Sequence, residues 1–289
     1  MSQSAQEPIL ADLLLDVDTP HSASPSPTLV VVTGQPAAGK SRTIDRISAA
    51  LDTPAVVLDS DVLRLNHPAM PDIMERDPQR MDVLSNGPVG FWMSGVIDHC
   101  RQHRYNIIIE NTLTNPKQVS ETAQLFHDTG FAVAVAALAV HEEVSRLGIV
   151  SRYLAGIDTD AFPRWTTERS HTTACHGMVS GLATINGSVD TIEVYDRQGH
   201  PLYAGSNGTA AAEAVTRERT TPLTDRQIQE WTTDYLRALP RLSDPAIVTA
   251  QTRTVLTNVV ADAERIFRES GTEALPVEHH QLKELLTSA

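Results

Sequence analysis

Leu29-Val-Val-Val-Thr-Gly34-Gln-Pro-Ala-Ala-Gly39-Lys40-Ser41 is the stretch whose reading decides the fold. A β-branched apolar run closes on a turn framed by two glycines, and a lysine and a serine follow at once. The turn satisfies G-x-x-x-x-G-K-[ST]. Ile44, Ile47 and Leu51 then recur at i, i+3 and i+7, one apolar helical face. Strand, glycine turn and amphipathic helix in that order are the context a phosphate-binding loop requires. Glycines let the backbone wind until successive N–H groups point at phosphate oxygens, and the helix N-terminus adds partial positive charge. Gly34, Gln35, Pro36, Ala37, Ala38, Gly39, Lys40 and Ser41 are therefore read as a loop that binds a nucleoside triphosphate. Lys40 would bridge the β- and γ-phosphates and Ser41 would ligate Mg²⁺. The chain has three lysines, and one of them stands here.

Working outward, short apolar runs alternate with helical periodicity. Ala55-Val-Val-Leu58, Asn106-Ile-Ile-Ile109 and Phe131–Val140 read as strands, and helices lie between them. Val189–Tyr195 and Leu202–Ala204 read as a strand and its hairpin partner. Residues 1–27 are expected to be a flexible N-terminal segment, because His21-Ser-Ala-Ser-Pro-Ser-Pro27 is linker chemistry. Ordered structure is expected from Thr28. Residues 28–205 form the core domain and residues 206–289 a helical C-terminal extension. Within the extension, 205–220 reads as a loop and 224–239 and 245–269 as helices. Periodicity leaves open whether these pack on the core or stand apart. The fold class is α/β: a P-loop kinase-like core, its mainly parallel sheet flanked by helices, with the helical extension after it.

Composition narrows the partners. The 289 residues include 23 basic and 36 acidic ones, a net charge of −13, which argues against coating a nucleic acid polymer. Binding one nucleotide needs only a few local cations. Two cysteines make no disulfide framework and suit a reducing cytoplasm. The longest apolar run, Phe131–Val140, is about half of the ~20 residues a membrane span requires, so no membrane association is expected. No basic residue precedes Lys40, which leaves no secretory or transit signal; the expected location is cytoplasmic.

A phosphate loop alone does not separate a nucleotide-gated switch from a kinase. Asp59-Ser-Asp61 closes the second strand, at the sheet edge where open α/β folds keep their sites. A carboxylate there can take the proton of an attacking hydroxyl. It can equally cap the following helix, and spacing does not choose between the two aspartates. Glu110 ends the third strand, suited to orienting a metal-bound water or gripping a substrate hydroxyl. Arg146, Arg152, Arg164 and Arg169 fall in one region after the fourth strand. As a group they can supply one or two cations to the charge of a transferring phosphoryl group.

Taken together, the loop, Leu58-Asp-Ser-Asp-Val-Leu-Arg-Leu-Asn-His-Pro68, Ile109-Glu-Asn-Thr112, Ser151-Arg-Tyr153 and the Tyr195–Tyr203 hairpin resemble the zeta toxins of toxin–antitoxin systems, over residues 28–205. The string D-x-D-x-x-R-x-x-H-P is the most specific element. The resemblance implies transfer of the ATP γ-phosphate to the 3′-hydroxyl of the amino sugar in UDP-N-acetylglucosamine, with toxicity through blocked cell-wall precursor synthesis. It implies Asp61 as the general base, Lys40 and Ser41 on nucleotide and Mg²⁺, and Arg152 and Arg164 as the two lid arginines. It also implies that Glu110, Thr112 and Thr122 line the sugar-nucleotide pocket, and that an antitoxin protein is the partner. The chain departs from the pattern on the helix before Glu110: Ser94 stands where the family carries a glutamate, with Asp98 one turn later. Another nucleotide sugar or small hydroxyl compound stays open as acceptor.

Other clusters carry less. His99 and His103, four apart on one helix, read as a polar face beside Arg101 and Arg104. His171, Cys175 and His176 lack a recognisable base-and-orienter set, so Cys175 reads as a small buried thiol.

Overall fold

The computed structural model describes residues 1–76, 81–159, 163–271 and 275–288. Strands β1 (Thr28–Thr33), β2 (Ala55–Leu58), β3 (Asn106–Asn111), β4 (Ala132–Leu138), β5 (Thr191–Tyr195) and β6 (Pro201–Gly205) form one sheet in the order β2-β3-β1-β4-β5-β6. All neighbours are parallel except β6, which runs antiparallel to β5.

Alternation along the strands explains the layers. Leu29 and Val31 of β1, Ile107 and Ile109 of β3, and Val133, Val135 and Ala137 of β4 enter one core. Val30 and Val32, Ile108, and Ala136 and Leu138 enter the core on the opposite face, with Ala38 and Ile44. Strands buried on both faces read as unbroken apolar runs, which is why β1, β3 and β4 do. Helix α2 (Lys40–Ala50) covers the second face. Helices α5 (Met81–His103), α6 (Pro116–His127) and α8 (Glu168–Thr184) cover the first. Short α3 (Ser60–Arg64) and α4 (Met70–Arg76) lie between β2 and α5.

Four elements differ from the sequence reading. Order does not begin at Thr28, because residues 3–18 form helix α1 (Gln3–Asp18). Its partly buried Ile9, Leu10, Leu13, Leu14 and Val17 pack against the first core. Trp92 donates its indole N–H to the Gln6 carbonyl at 3.1 Å, and Tyr105 donates its hydroxyl to Asp18 at 3.0 Å. A β-carbon on Gly95 would lie 2.6 Å from Leu10 Cδ2, so the glycine lets α1 approach α5. The expected loop at 205–220 is helix α9 (Gly208–Thr220), capped by the Asn207 side chain. Ala211, Ala212 and Ala214 bury against the core with Val215; alanines resemble linker composition while having the highest helix propensity. A helix α12 (Val277–Thr287) is added, and the helix expected from 245 starts later, as α11 (Arg253–Glu269).

The extension is no appendage. Helices α10 (Asp225–Leu242), α11 and α12 share a core with α7 (Glu142–Asp158), in which Leu147, Val150 and Leu154 meet Trp231, Tyr235, Leu239, Leu256, Val259 and Ile266. Among the described residues no helix is long and apolar enough to cross a membrane.

Candidate active site

β1 lies between β3 and β4, where the strand order reverses, and a cleft opens beyond the carboxyl ends of these strands. Its volume is about 1520 Å³. Pro36 to Ser41 form its floor. Ala37 and Gly39 take positive φ, 60° and 93°, which curls the loop so that α2 begins at Lys40. The first-turn amides of α2 have no intrahelical partner and face this opening. A β-carbon on Gly148 of α7 would stand 3.1 Å from Ala37 Cβ, so that glycine lets α7 lie against the loop.

Lys40 is buried. Its ammonium donates to the Gly34 carbonyl at 2.9 Å and the Gln35 carbonyl at 3.3 Å, and pairs with Glu110 Oε1 at 3.3 Å. Ser41 lines the cleft beside it. Gly34 and Gln35, read from sequence as nucleotide contacts, do not line the cleft. Gln35 turns inward, donating to the Val140 carbonyl (2.7 Å) and Ser145 Oγ (3.1 Å) and accepting from Arg219 at 2.6 Å. A buried amide must be satisfied, and here it anchors the loop to β4, α7 and α9.

The two aspartates have different surroundings. Asp59 Oδ1 accepts the Asp61 N–H at 2.8 Å and caps α3. Asp61 does not cap; its carboxylate projects into the cleft, with Arg164 at 3.0 Å and Arg64 at 3.3 Å. Arg164 also stands 3.7 Å from Asp59. Arg64, which sequence reading quoted without a role, donates to Ser85 (3.0 Å) and Asn86 (2.8 Å) and so ties Asp61 to α5. The signal was its place three residues after Asp61, the spacing at which helical side chains meet.

Arg152 is largely buried on α7. It donates to Thr166 Oγ1 at 3.2 Å, while its Nε has no partner among the described residues. Burial holds its pKa below the ordinary value. Asp61, Glu110 and Asp59 act against that shift, and Arg164 adds to it. Arg152, Arg164 and Arg169 line the cleft, whereas Arg146 does not. Arg146 is held by Glu168 at 3.2 Å and by Asp262, an ion network joining α7, α8 and α11. Thr112, Thr114, Gln118 and Thr122 form the cleft wall beyond Glu110, and Asn86, Ser94, Asp98 and Arg101 face it from α5. Asp98 accepts from Arg101 at 3.2 Å.

The remaining clusters serve packing. His99 bonds Asp18 at 2.6 Å and lies over His103, with ring centroids 4.0 Å apart. Cys100 and Cys175 are buried, and burial pushes each thiol up to about 12.

A phosphate-binding loop on the reversal strand of a mainly parallel sheet, with carboxylates and arginines around one cleft, defines a protein of kinase-like α/β architecture. The zeta toxin family model matches residues 11–208, and the chain belongs to that family. It is 25% identical to toxin zeta of Enterococcus hirae over 227 residues, 76% of this chain and 79% of that one. Toxin PezT of Streptococcus pneumoniae is 26% identical over 214 residues, 72% of this chain and 84% of that one. A solved chain of the PezAT chromosomal toxin-antitoxin system of that species shares the fold, with a TM-score of 0.73 at 21% identity. That match covers 83% of this chain and 97% of the other.

Proposed function

We propose that the protein is an ATP-dependent phosphotransferase that acts as a toxin by phosphorylating a nucleotide sugar, and that its acceptor is the 3′-hydroxyl of the amino sugar in UDP-N-acetylglucosamine. One observation carries the reading. A carboxylate free of capping duty, Asp61, stands in the same cleft as a phosphate loop and two arginines, 3.0 Å from one of them. A switch that hydrolyses its nucleotide needs no such carboxylate for an alcohol.

In this reading the triphosphate lies on the amides around Gly39, with Lys40 at its outer phosphates. Ser41 would hold Mg²⁺, which supplies charge neutralisation across the β- and γ-phosphates when bound. The hydroxyl of the acceptor, oriented by Glu110, Thr112 and Thr122, attacks the γ-phosphorus. Its proton passes to Asp61, the bond from the γ-phosphorus to the bridging oxygen breaks, and ADP departs. Arg152 and Arg164 neutralise charge spread over the phosphoryl oxygens. Arg152 suits this because its burial is only partly compensated by protein carboxylates, so an anion stabilises it. Phosphoryl transfer asks for positioning and electrostatics more than covalent chemistry, and rigid elements provide both. The toxin–antitoxin setting of the pneumococcal relative supports a protein antitoxin as the cellular partner.

The test is ATP turnover with and without a panel of nucleotide sugars. The reading expects little ADP from ATP alone and strong stimulation by UDP-N-acetylglucosamine. Stimulation by a different sugar nucleotide corrects the acceptor only. Slow turnover that no hydroxyl compound accelerates overturns the reading in favour of a nucleotide-gated switch.

A further inference from the structure

Ala37, in the middle of the phosphate loop, has a φ of 60°. An L-residue in that region crowds its β-carbon against the following carbonyl, so a residue other than glycine stays there only where its neighbours over-determine it. Two neighbours do. From α7, Gly148 comes so close that a β-carbon on it would stand 3.1 Å from Ala37 Cβ and 3.3 Å from the Ala37 carbonyl oxygen. From the β5–β6 turn, Arg197 Nη1 donates to that same oxygen at 3.0 Å. Among the described residues the Ala37 carbonyl accepts from no other donor, and Arg197 donates to no other acceptor.

The turn that presents Arg197 is itself fixed. The Asp196 carbonyl accepts the Gly199 N–H at 3.1 Å, and Asp196 Oδ1 accepts the His200 N–H at 2.8 Å. Arg46 of α2 donates to the Gly199 carbonyl at 2.6 Å and lies 4.1 Å over the Tyr195 ring. Because the phosphate loop runs directly into α2, loop, helix and turn close a ring of contacts. Burial holds the Arg197 pKa below its ordinary value; Asp234 and Glu230 oppose that shift and Arg42 adds to it. Among the described residues, however, no ion pair holds Arg197, so this buried cation rests on one carbonyl.

The φ of Ala37 sets the direction in which the chain leaves for Gly39, Lys40 and Ser41, where α2 begins and the amides have no intrahelical partner. Relaxation of Ala37 to negative φ would swing those donors away from the cleft floor. We infer that Arg197 is a positioning residue for phosphate binding: through the Ala37 carbonyl it holds the loop in the left-handed bend that aims these amides at an anion. In this role it acts on the loop and not on the ligand. The inference rests on the reading of the loop as a nucleoside-triphosphate site and is independent of which alcohol receives the phosphoryl group.

A double-mutant cycle tests it. Dissociation constants for ATP, and for inorganic tripolyphosphate, which has no nucleoside, are measured calorimetrically on the full-length parent, Arg197→Met, Ala37→Gly and the two changes combined. Methionine keeps the buried stem and removes the donor. Glycine adopts the left-handed region without strain, so it removes the need for a hold. Arg197→Met is expected to weaken both ligands about tenfold in the parent background, the order of the penalty on a left-handed alanine, and less than about threefold in the Ala37→Gly background. A loss of equal size in both backgrounds overturns the inference, because Arg197 then attracts the phosphates by its charge alone. A loss confined to ATP overturns it too, as does parent-like binding by Arg197→Met. In these three cases the parent still binds ATP and the nucleotide reading stands; a parent that binds neither ligand ends both. A thermal melt checks the fold of each variant, and should Arg197→Met not fold, Arg197→Gln takes its place in the cycle with the same outcomes.

Discussion

At the scale of single residues, Asp59 and Asp61 divide two duties that the sequence offered to either. Asp59 accepts the Asp61 N–H and starts α3, while Asp61 meets Arg164 and Arg64 in the cleft. With Asp61 as the proposed base, Asp61→Asn keeps the shape and removes the carboxylate, so kcat should fall by about 10²–10⁴-fold with ATP affinity unchanged within twofold. Steady-state rates with parallel calorimetry decide this, and near-parent kcat would exclude Asp61 as the base. Gly148 makes a separate point. Its missing side chain leaves room for Ala37 at the bend of the phosphate loop. Gly148→Val should push the loop out of shape and weaken ATP at least tenfold, with little change in melting temperature; unchanged affinity would show that the loop tolerates the intrusion. The places of Lys40, Ser41 and Glu110 at the cleft were legible because chemistry and motif spacing coincide, whereas only the family resemblance, not spacing, singled out Asp61 over Asp59. Arg197 and Gly148 were not legible, since their importance lies in what another part of the chain brings beside them.

At the scale of elements, legibility followed side-chain size. The β-branched runs of β1, β3 and β4 announced themselves, because strands covered on both sides need continuous apolar sequence. Helix α9 did not: its buried face is alanine and valine, and its glycine at 208 sits so close to α8 that a β-carbon would lie 2.0 Å from the Leu182 carbonyl oxygen. Helix α1 hid behind the Ser/Pro segment that follows it, although Ile9, Leu13 and Val17 recur at helical spacing. One side chain of α9 braces the phosphate loop from outside the cleft. Arg219 donates to Gln35, to the Val140 carbonyl at 3.1 Å and to the Cys175 carbonyl at 2.7 Å, with burial lowering its pKa. Arg219→Met strips those partners of their donor and leaves buried acceptors unmatched. A loss of about 3 kcal/mol is expected in urea unfolding, with a weakened grip on ATP. A variant within about 0.5 kcal/mol of the parent, the scatter of a neutral surface change, would show that the bonds are dispensable.

For the whole molecule, the question is what couples the two cores across α7. His171 is fully buried there, its Nε2 2.8 Å from Ser145 Oγ, and its pKa is lowered from 6.5 to about 4 by burial first, then by Arg146 and Arg219. The folded chain holds this imidazole neutral, so its contribution to stability is present above pH 6.5 and is lost as the pH falls toward 4. Between pH 7 and pH 5 that loss is about 2 kcal/mol. Asp262 runs the other way. Burial raises its carboxyl to about 6 despite Arg146, so it favours the folded state in acid and loses that contribution as pH rises from about 4 to 6. The two trends overlap, which makes a paired comparison necessary. His171→Gln should be less stable than the parent at pH 7 yet lose about 2 kcal/mol less on going to pH 5, by urea titration at both values. Parallel pH profiles would clear His171 of the effect. None of this coupling was readable along the chain, because the partners lie on α7, α8, α9 and α11 and meet only after folding.

The proposed function turns on whether the cleft moves a phosphoryl group from a loop-bound nucleotide to an alcohol facing Asp61. Incubation of the protein with Mg²⁺-ATP and UDP-N-acetylglucosamine, followed by mass and phosphorus NMR analysis of the sugar nucleotide, tests it most directly. The account predicts ADP together with a sugar nucleotide one phosphoryl group heavier, substituted on the 3′-oxygen of the sugar, and no such product from Asp61→Asn. ADP and free phosphate in equal amounts, with the sugar nucleotide intact, would contradict it.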